Sequence, residues 1–359
     1  MKDNLSNFEQ TKADSPLKYT LTDWWAVIKR TFFASQYDNV TVIAAGVAFF
    51  SLLAVFPLIS AALSIFSYFA NPGNVDGITQ TVASLMPGEA YKIIEDQISS
   101  VLNADRSSIS LGIIISILLA FFAAGAGIRA MMRAMNVAYE EVESRNILIF
   151  YLYAALMTLG SLVFVWLSLF VIIGIPTALA FLRLNGIEDV TARVLPWILL
   201  IIVFCFACGV MYRFGPSRRP ARKRWIYPGI VFAMISWMIM SYGFSKFVQY
   251  FGNYNETFGG IASVIILLVW LWLTATVIIV GAQLNSELER QTIVDTTRGP
   301  ARPLGSRGAV MADFVAKLTR RKDAMIEVSN PEGPEGTDMT VATPPQVPGP
   351  TADGTSTTN

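Results

Sequence analysis

Long apolar runs alternate with short polar connections along the chain, and the lengths of the runs carry the first conclusion. A helix needs about 20 mostly apolar residues to cross the hydrocarbon of a bilayer. Runs of that kind are Val40–Phe69, Ser110–Ala134, Ile147–Leu182, Pro196–Arg213, Trp225–Tyr250 and Gly259–Asn285. The pattern predicts an all-α polytopic membrane protein with about six transmembrane helices. The third run exceeds a single span, and Gly174-Ile175-Pro176 is expected to end its helix, leaving 177–184 at the interface.

Shorter amphipathic stretches flank these spans. Leu21–Phe33 carries Trp24, Trp25, Ile28, Phe32 and Phe33 on one side with Lys29 and Arg30 nearby, as expected of a helix lying in the membrane interface. The connection 71–110 carries Ile93, Ile94, Ile98, Val101 and Leu102 at near-helical spacing and is expected to form a helical outer loop. In the tail, Val310, Met311, Phe314, Val315 and Leu318 alternate with Lys317, Arg320, Arg321 and Lys322, a basic amphipathic helix over 309–322 suited to anionic lipid headgroups. Past Val328 the residues are mainly Pro, Gly, Thr and Ser, which cannot bury enough apolar surface to order themselves. The expected organisation is an N-terminal segment over 1–39, a transmembrane domain over 40–290, and a largely disordered tail over 291–359.

Composition sharpens this reading. Hydrophobic residues make up 53% of the chain and charged ones only 15%, with a mean hydropathy of +0.50. Soluble domains carry about 25% charge, so a soluble enzyme is excluded. No run at the N-terminus looks like a cleavable signal, and Val40–Phe69 reads as a retained first span. Lysines and arginines set the orientation. Lys2, Lys12, Lys18, Lys29, Arg30, Arg129, Arg133, Arg145, the Arg213–Arg224 connection and the basic residues of the tail fall on one side, against Lys92, Arg106, Arg183, Arg193 and Lys246 on the other. The positive-inside rule then places both termini in the cytoplasm of a bacterial inner-membrane protein.

The chain has no histidine, which excludes histidine bases, histidine-bound zinc and histidine pH switches. No cofactor is expected. The net charge of +1 offers no basic field for nucleic acid. Cys205 and Cys208 form a C-x-x-C inside an apolar run, where they read as small core residues rather than a redox or metal pair. Membrane lipids are the expected partners, and self-association is left open.

Polar groups near spans are the default functional candidates, because lipid penalises them. Arg129, Arg133 and Asn136 are spaced to share one helix face, just after Gly125 and Gly127, which permit close backbone approach. Such a pair of arginines suits an anionic group; the competing reading is snorkelling to headgroups and pairing with Glu140, Glu141 or Glu143. Gln283 and Asn285 at the end of the sixth run join them as candidates for a ligand path, with helix-end capping as the alternative. Asn253, Asn255 and Glu256 form either a polar outer gate or an ordinary turn. Gly46 and Pro57 read as packing and kink positions.

Several strings together resemble the YihY/BrkB family of bacterial inner-membrane proteins. They are Ala45-Gly46-Val47-Ala48-Phe49-Phe50 with Phe56-Pro57, Gly127-Ile128-Arg129-Ala130 leading to Ala134-Met135-Asn136-Val137-Ala138-Tyr139, and Tyr212-Arg213-Phe214-Gly215-Pro216. Pro228-Gly229, Asn253-Tyr254-Asn255, Trp270-Leu271-Trp272 and Gly281-Ala282-Gln283-Leu284-Asn285 extend the likeness across residues 20–290. Phe50 and Phe258 stand where the family is expected to carry Tyr, which weakens any hydrogen-bonding role there. The resemblance implies a six-helix inner-membrane protein associated with virulence and with the movement of envelope lipids. It also brings a former ribonuclease label, which the absence of histidine and of clustered acids argues against. The leading expectation is a transporter or flippase-like protein for an amphipathic anion, not an enzyme; the alternative is a structural scaffold of the envelope.

Overall fold

The computed structural model describes residues 12–69, 106–169, 188–250 and 260–314. After a short 3-10 turn at Pro16–Lys18 come α1 (Leu21–Tyr37), α2 (Val40–Phe69), α3 (Arg106–Ala138) and α4 (Ile147–Leu169). They are followed by α5 (Glu188–Phe214), α6 (Lys223–Tyr250), α7 (Gly260–Arg290) and the single turn α8 (Val310–Asp313). Beside them, one isolated antiparallel bridge joins Ala221 and Thr297.

Segments of α2, α3, α4, α6 and α7 are long and apolar enough to cross a membrane, and Ile198–Phe214 of α5 is apolar but shorter. Leu118, Phe122, Leu148, Leu159, Phe206 and Ile239 point outward unburied, as side chains do when hydrocarbon rather than water surrounds them. This is a multi-pass, all-α membrane protein. The helical outer loop expected at 71–110 lies largely outside the described residues, although α3 already begins at Arg106. The stretch 177–184 lies outside them too.

The core forms where α2 packs on α3 and α7, and α6 packs on α7. Small side chains at Ala44, Ala134, Ala138 and Ala282 are fully buried there and let the helices come close. A Cβ on Gly127 would lie 3.4 Å from the Ser51 hydroxyl, so Gly127 is a packing glycine between α3 and α2. Gly46 is different: nothing approaches it within 4 Å, so the expected packing role is not its own. Helix α2 continues through Pro57 to Phe69. A tight glycine contact lies elsewhere, between Gly229 of α6 and Gly281 of α7. A Cβ on Gly229 would collide with the Gly281 carbonyl and the Asn285 amide, and one on Gly281 would sit 2.8 Å from the Gly229 carbonyl.

Helix α1 opens with a capping box, in which the Thr20 hydroxyl accepts from the Asp23 amide while the Asp23 carboxylate accepts from the Thr20 amide. It ends at Tyr37, and Asn39, with a φ of 51°, then turns the chain sharply into α2; asparagine tolerates this left-handed conformation better than most residues. Val27, Thr31 and Ala34 are buried, and α1 packs along α7. The aromatic stripe splits: Trp24 turns inward against the core, while Trp25, Phe32 and Phe33 stay exposed.

The tail boundary moves. Residues 291–297 and the stretch from Arg307 to Asp313 are held against the protein, while 298–306 are exposed but bonded at their ends, because the polar groups find partners. Arg307, 4% exposed, donates to the carbonyls of Ile293, Val294, Arg302 and Ala312. The Asp313 carboxylate accepts from the amides of Gly305, Arg307 and Gly308. Arg222 and Arg298 amides donate across to the Thr296 and Pro220 carbonyls, docking this segment on the α5–α6 turn. Of the basic helix expected over 309–322, one turn is described, with Met311 buried inward rather than facing lipid. The remainder lies outside the described residues.

Candidate functional site

The polar side chains gather where α7 ends. Gln283, Asn285, Glu287 and Glu289 are all at most 2% exposed. Glu289 pairs with Arg218 of the α5–α6 turn, Nη2 to Oε1 at 2.6 Å, with both side chains out of solvent. Thr296 donates to the other Glu289 oxygen at 2.7 Å, and the Arg218 guanidinium stacks 4.2 Å above the Tyr139 ring. Burial is the largest influence and works against the Arg218 charge, but Glu289, Tyr139 and Glu141 together outweigh it and hold the guanidinium pKa above its ordinary value. One turn away, Arg30 of α1 donates to Glu287 at 2.8 Å and to Gln291 at 2.7 Å. Tyr19 donates to the Leu288 carbonyl at 2.7 Å. The end of α7 is therefore tied to α1, to the α5–α6 turn and to 291–297.

The candidates named from sequence are placed individually. Asn136 bridges two loops: its amide donates to Glu143 and its oxygen accepts the Ser217 amide at 2.7 Å. Gln283 donates to Asp38 at 2.7 Å, and Asn285 accepts the Gly229 amide at 2.7 Å, locking α6 to α7 at their tight glycine contact. Arg129 lies 5.6 Å from the Tyr151 ring centre, close against Gly125, and Arg133 is exposed. The shared face does not become a shared pocket: Arg129 lies against Tyr151, Asn136 is bonded to Glu143 and Ser217, and Arg133 is exposed. Two of the three acids considered as partners for these arginines are bonded to other groups. Glu143 is gripped by Arg145 at 2.7 Å from two guanidinium nitrogens, which together with Asn136 holds its carboxyl at about 2. Glu141 instead accepts the Val310 amide, and burial raises its carboxyl above the usual range. Asn253, Asn255 and Glu256 lie outside the described residues. Cys205 and Cys208 are free thiols, Cys208 within the core.

Beside this cluster runs a lateral groove of about 820 Å³ between α1, α2, α6 and α7. Ile28, Phe32, Val231, Phe232 and Val280 line it, and Arg224 stands at its rim in the first turn of α6. Among the described residues Arg224 takes no hydrogen bond or ion pair; Asp14 is the acid whose charge it feels. None of the five path candidates lines this groove.

The family profile described as "Virulence factor BrkB" matches residues 31–304. The chain belongs to the BrkB family. The match runs past Arg290 into the segment that docks on the α5–α6 turn, so the family's shared portion includes part of that packed tail. A ribonuclease-like protein of Bacillus subtilis, YfkH, is 28% identical over 69% of this chain and 90% of its own length. A UPF0761 membrane protein of Pseudoalteromonas translucida is 27% identical over 82% of this chain and 95% of its own. Another UPF0761 membrane protein, from Aliivibrio salmonicida, is 25% identical over 77% and 87%. No solved structure matches the chain.

Sequence reasoning did not pair Arg218 with Glu289 or single out Arg224, and it named Gly229 only within a family string, not as a contact. Arg218 and Arg224 sit within a run of basic residues from Arg213 to Arg224, and nothing in a basic run marks which member is buried. Gly229 did carry a signal, the Pro228-Gly229 pair inside an otherwise helical run.

Proposed function

We propose that this BrkB-family protein acts in the bacterial inner membrane, with both termini cytoplasmic, and carries an amphipathic anionic envelope lipid between leaflets. The observation behind this reading is the lateral groove, apolar along its length with a single arginine at its rim. A lipid tail gains little by leaving hydrocarbon for an equally apolar groove, so the walls supply shape and Arg224 supplies choice of headgroup. Interfacial helix α1 forms one wall with Ile28 and Phe32, which lets a lipid enter sideways from its own leaflet. The reading is non-enzymatic. The ribonuclease-like name of the Bacillus relative does not alter it, since the whole chain lacks histidine.

The test is movement of labelled anionic and zwitterionic lipids in proteoliposomes, comparing wild type with Arg224→Glu and Val231→Trp. The expected result is anion-selective movement, lost in Arg224→Glu and blocked in Val231→Trp while both variants stay folded. No movement above empty vesicles with folded wild type would remove this reading.

A scaffold role is the second reading, favoured by one observation. Asn136, Gln283 and Asn285 are all engaged in hydrogen bonds that join segments of the protein. It predicts that both groove variants behave as wild type in cells, whereas loss of the Arg218–Glu289 pair abolishes function.

A further inference from the structure

A second cavity, which shares no lining residue with the groove, opens between the start of α4, the end of α5 and the α5–α6 turn. It measures about 380 Å³ and is lined by Arg145, Arg213, Arg218, Arg219, Ser144 and Tyr153 among others, with no carboxylate in its wall. Two of the four arginines are neutralised from behind: Arg145 by Glu143 and Arg218 by Glu289. Arg213 and Arg219 have no acidic partner among the described residues. Arg213 lies against the Phe214 ring, and Arg219 reaches only the Pro300 carbonyl at 3.3 Å. Two of the four lining arginines are thus left without an ion pair among the described residues, and the one other acid that acts on Arg218, Glu141, lies outside the wall.

Its donors are also incompletely used. The Nη1 atoms of Arg218 and Arg219 are buried and have no hydrogen-bond partner, and the Arg218 side chain is 1% exposed. A buried guanidinium nitrogen without an acceptor is costly, and an anion in the cleft is the simplest relief. The Ser144 and Ser217 hydroxyls lie 3.0 Å apart, and Asn136 and Arg145 fix the turn from below. The cleft is thus held open by hydrogen bonds that an arriving ligand need not break.

We propose that this cleft binds a phosphate group carrying two negative charges, as inorganic phosphate or a phosphate monoester, through Arg213 and Arg219 with Arg218 as its floor. Guanidinium groups suit this ligand because their paired N–H donors match phosphate oxygens, and two such groups match its charge. The site is separate from the groove and does not depend on lipid movement.

The experiment uses the full chain in neutral detergent and in nanodiscs. Inorganic phosphate is titrated against sodium chloride of matched ionic strength while Tm is followed. In parallel, nanodiscs containing phosphatidate are compared with nanodiscs of phosphatidylcholine alone. A ligand that binds only the folded state raises Tm, here by about 2 °C or more near saturation. We expect that rise in wild type and its loss in Arg213→Gln/Arg219→Gln, residues that carry none of the internal ion pairs. Stabilisation by phosphate alone identifies a soluble ligand, and stabilisation by phosphatidate as well identifies a headgroup. Should the double variant misfold, modification of wild-type arginines by phenylglyoxal, mapped by mass spectrometry, decides the matter: phosphate must shield Arg213 and Arg219 but not exposed Arg133. No stabilisation above chloride from either source, or no shielding of the two arginines, overturns the proposal.

Discussion

Neighbouring residues of α7 serve two regions of opposite character. Leu284 lines the lateral groove, while Gln283 and Asn285 on either side of it are hydrogen-bonded into the buried polar cluster. In the cluster, charges face charges at 2.6–2.8 Å and each segment is tied to another far away in sequence. In the groove, apolar walls face one another across open space, with one arginine lacking a direct partner at the rim. The contrast teaches where this protein is built to hold its shape and where it is built to leave room. A helix end tied at several points cannot wander, and the wall it shares with the groove inherits that rigidity.

The contrast breaks most directly at Arg218. Removing one member of a buried pair leaves the other charge uncompensated, so Arg218→Met should lower stability by about 3–5 kcal/mol, read as a large fall in Tm in detergent. Pairing it with Glu289→Leu should restore a good part of that loss, and an unchanged Tm in the single variant would show that the cluster anchors nothing. Gly281→Ala comes next. Its methyl group meets the Gly229 backbone, and overpacking of this kind costs about 1–3 kcal/mol.

A smaller effect is set by pH. The Glu143 carboxyl is held at about 2, below its ordinary 4.5, so its contribution is present above 4.5 and is lost as pH falls from there towards 2. Wild type should exceed Glu143→Gln by about 1 kcal/mol at pH 7, after screening at a partly exposed site, and the two should converge near pH 2. Thermal melts across that range check the sign. The smallest effect belongs to the groove: Val231→Trp should shift stability by less than about 0.5 kcal/mol, since it fills space that nothing occupies. A loss as large as that of Arg218→Met would erase the distinction between the two regions.

Much of the fold is legible in hydropathy alone. The runs starting at Val40 and Ile147 begin where α2 and α4 begin, because bilayer thickness sets a length that sequence can display. The same logic stops short at α5, whose helix begins at Glu188, well before the apolar portion starts. Polar partnerships are a different matter. Arg218 and Glu289 are 71 residues apart, and neither differs in type from the other arginines and glutamates around it in sequence. Arg307 looks like any tail arginine until four carbonyls close around it. Residues 291–308 show neither helical nor strand periodicity, so their order rests on contacts that no local pattern announces. The candidates Gln283 and Asn285 were found by a sound rule, that lipid penalises polar groups, but the rule says only that such a group has a reason to be there. Here the reason is attachment: Gln283 holds Asp38, and Asn285 holds Gly229.

The meeting of Gly229 and Gly281 also bears on heredity. Every single-nucleotide change in a glycine codon that alters the residue adds a side chain, and at these two positions the nearest atoms include backbone, which cannot step aside. Neither codon has a conservative neighbour. In a library of all single substitutions selected for folded protein, these two columns should be nearly empty, while Gly46, with nothing within 4 Å, should accept alanine freely.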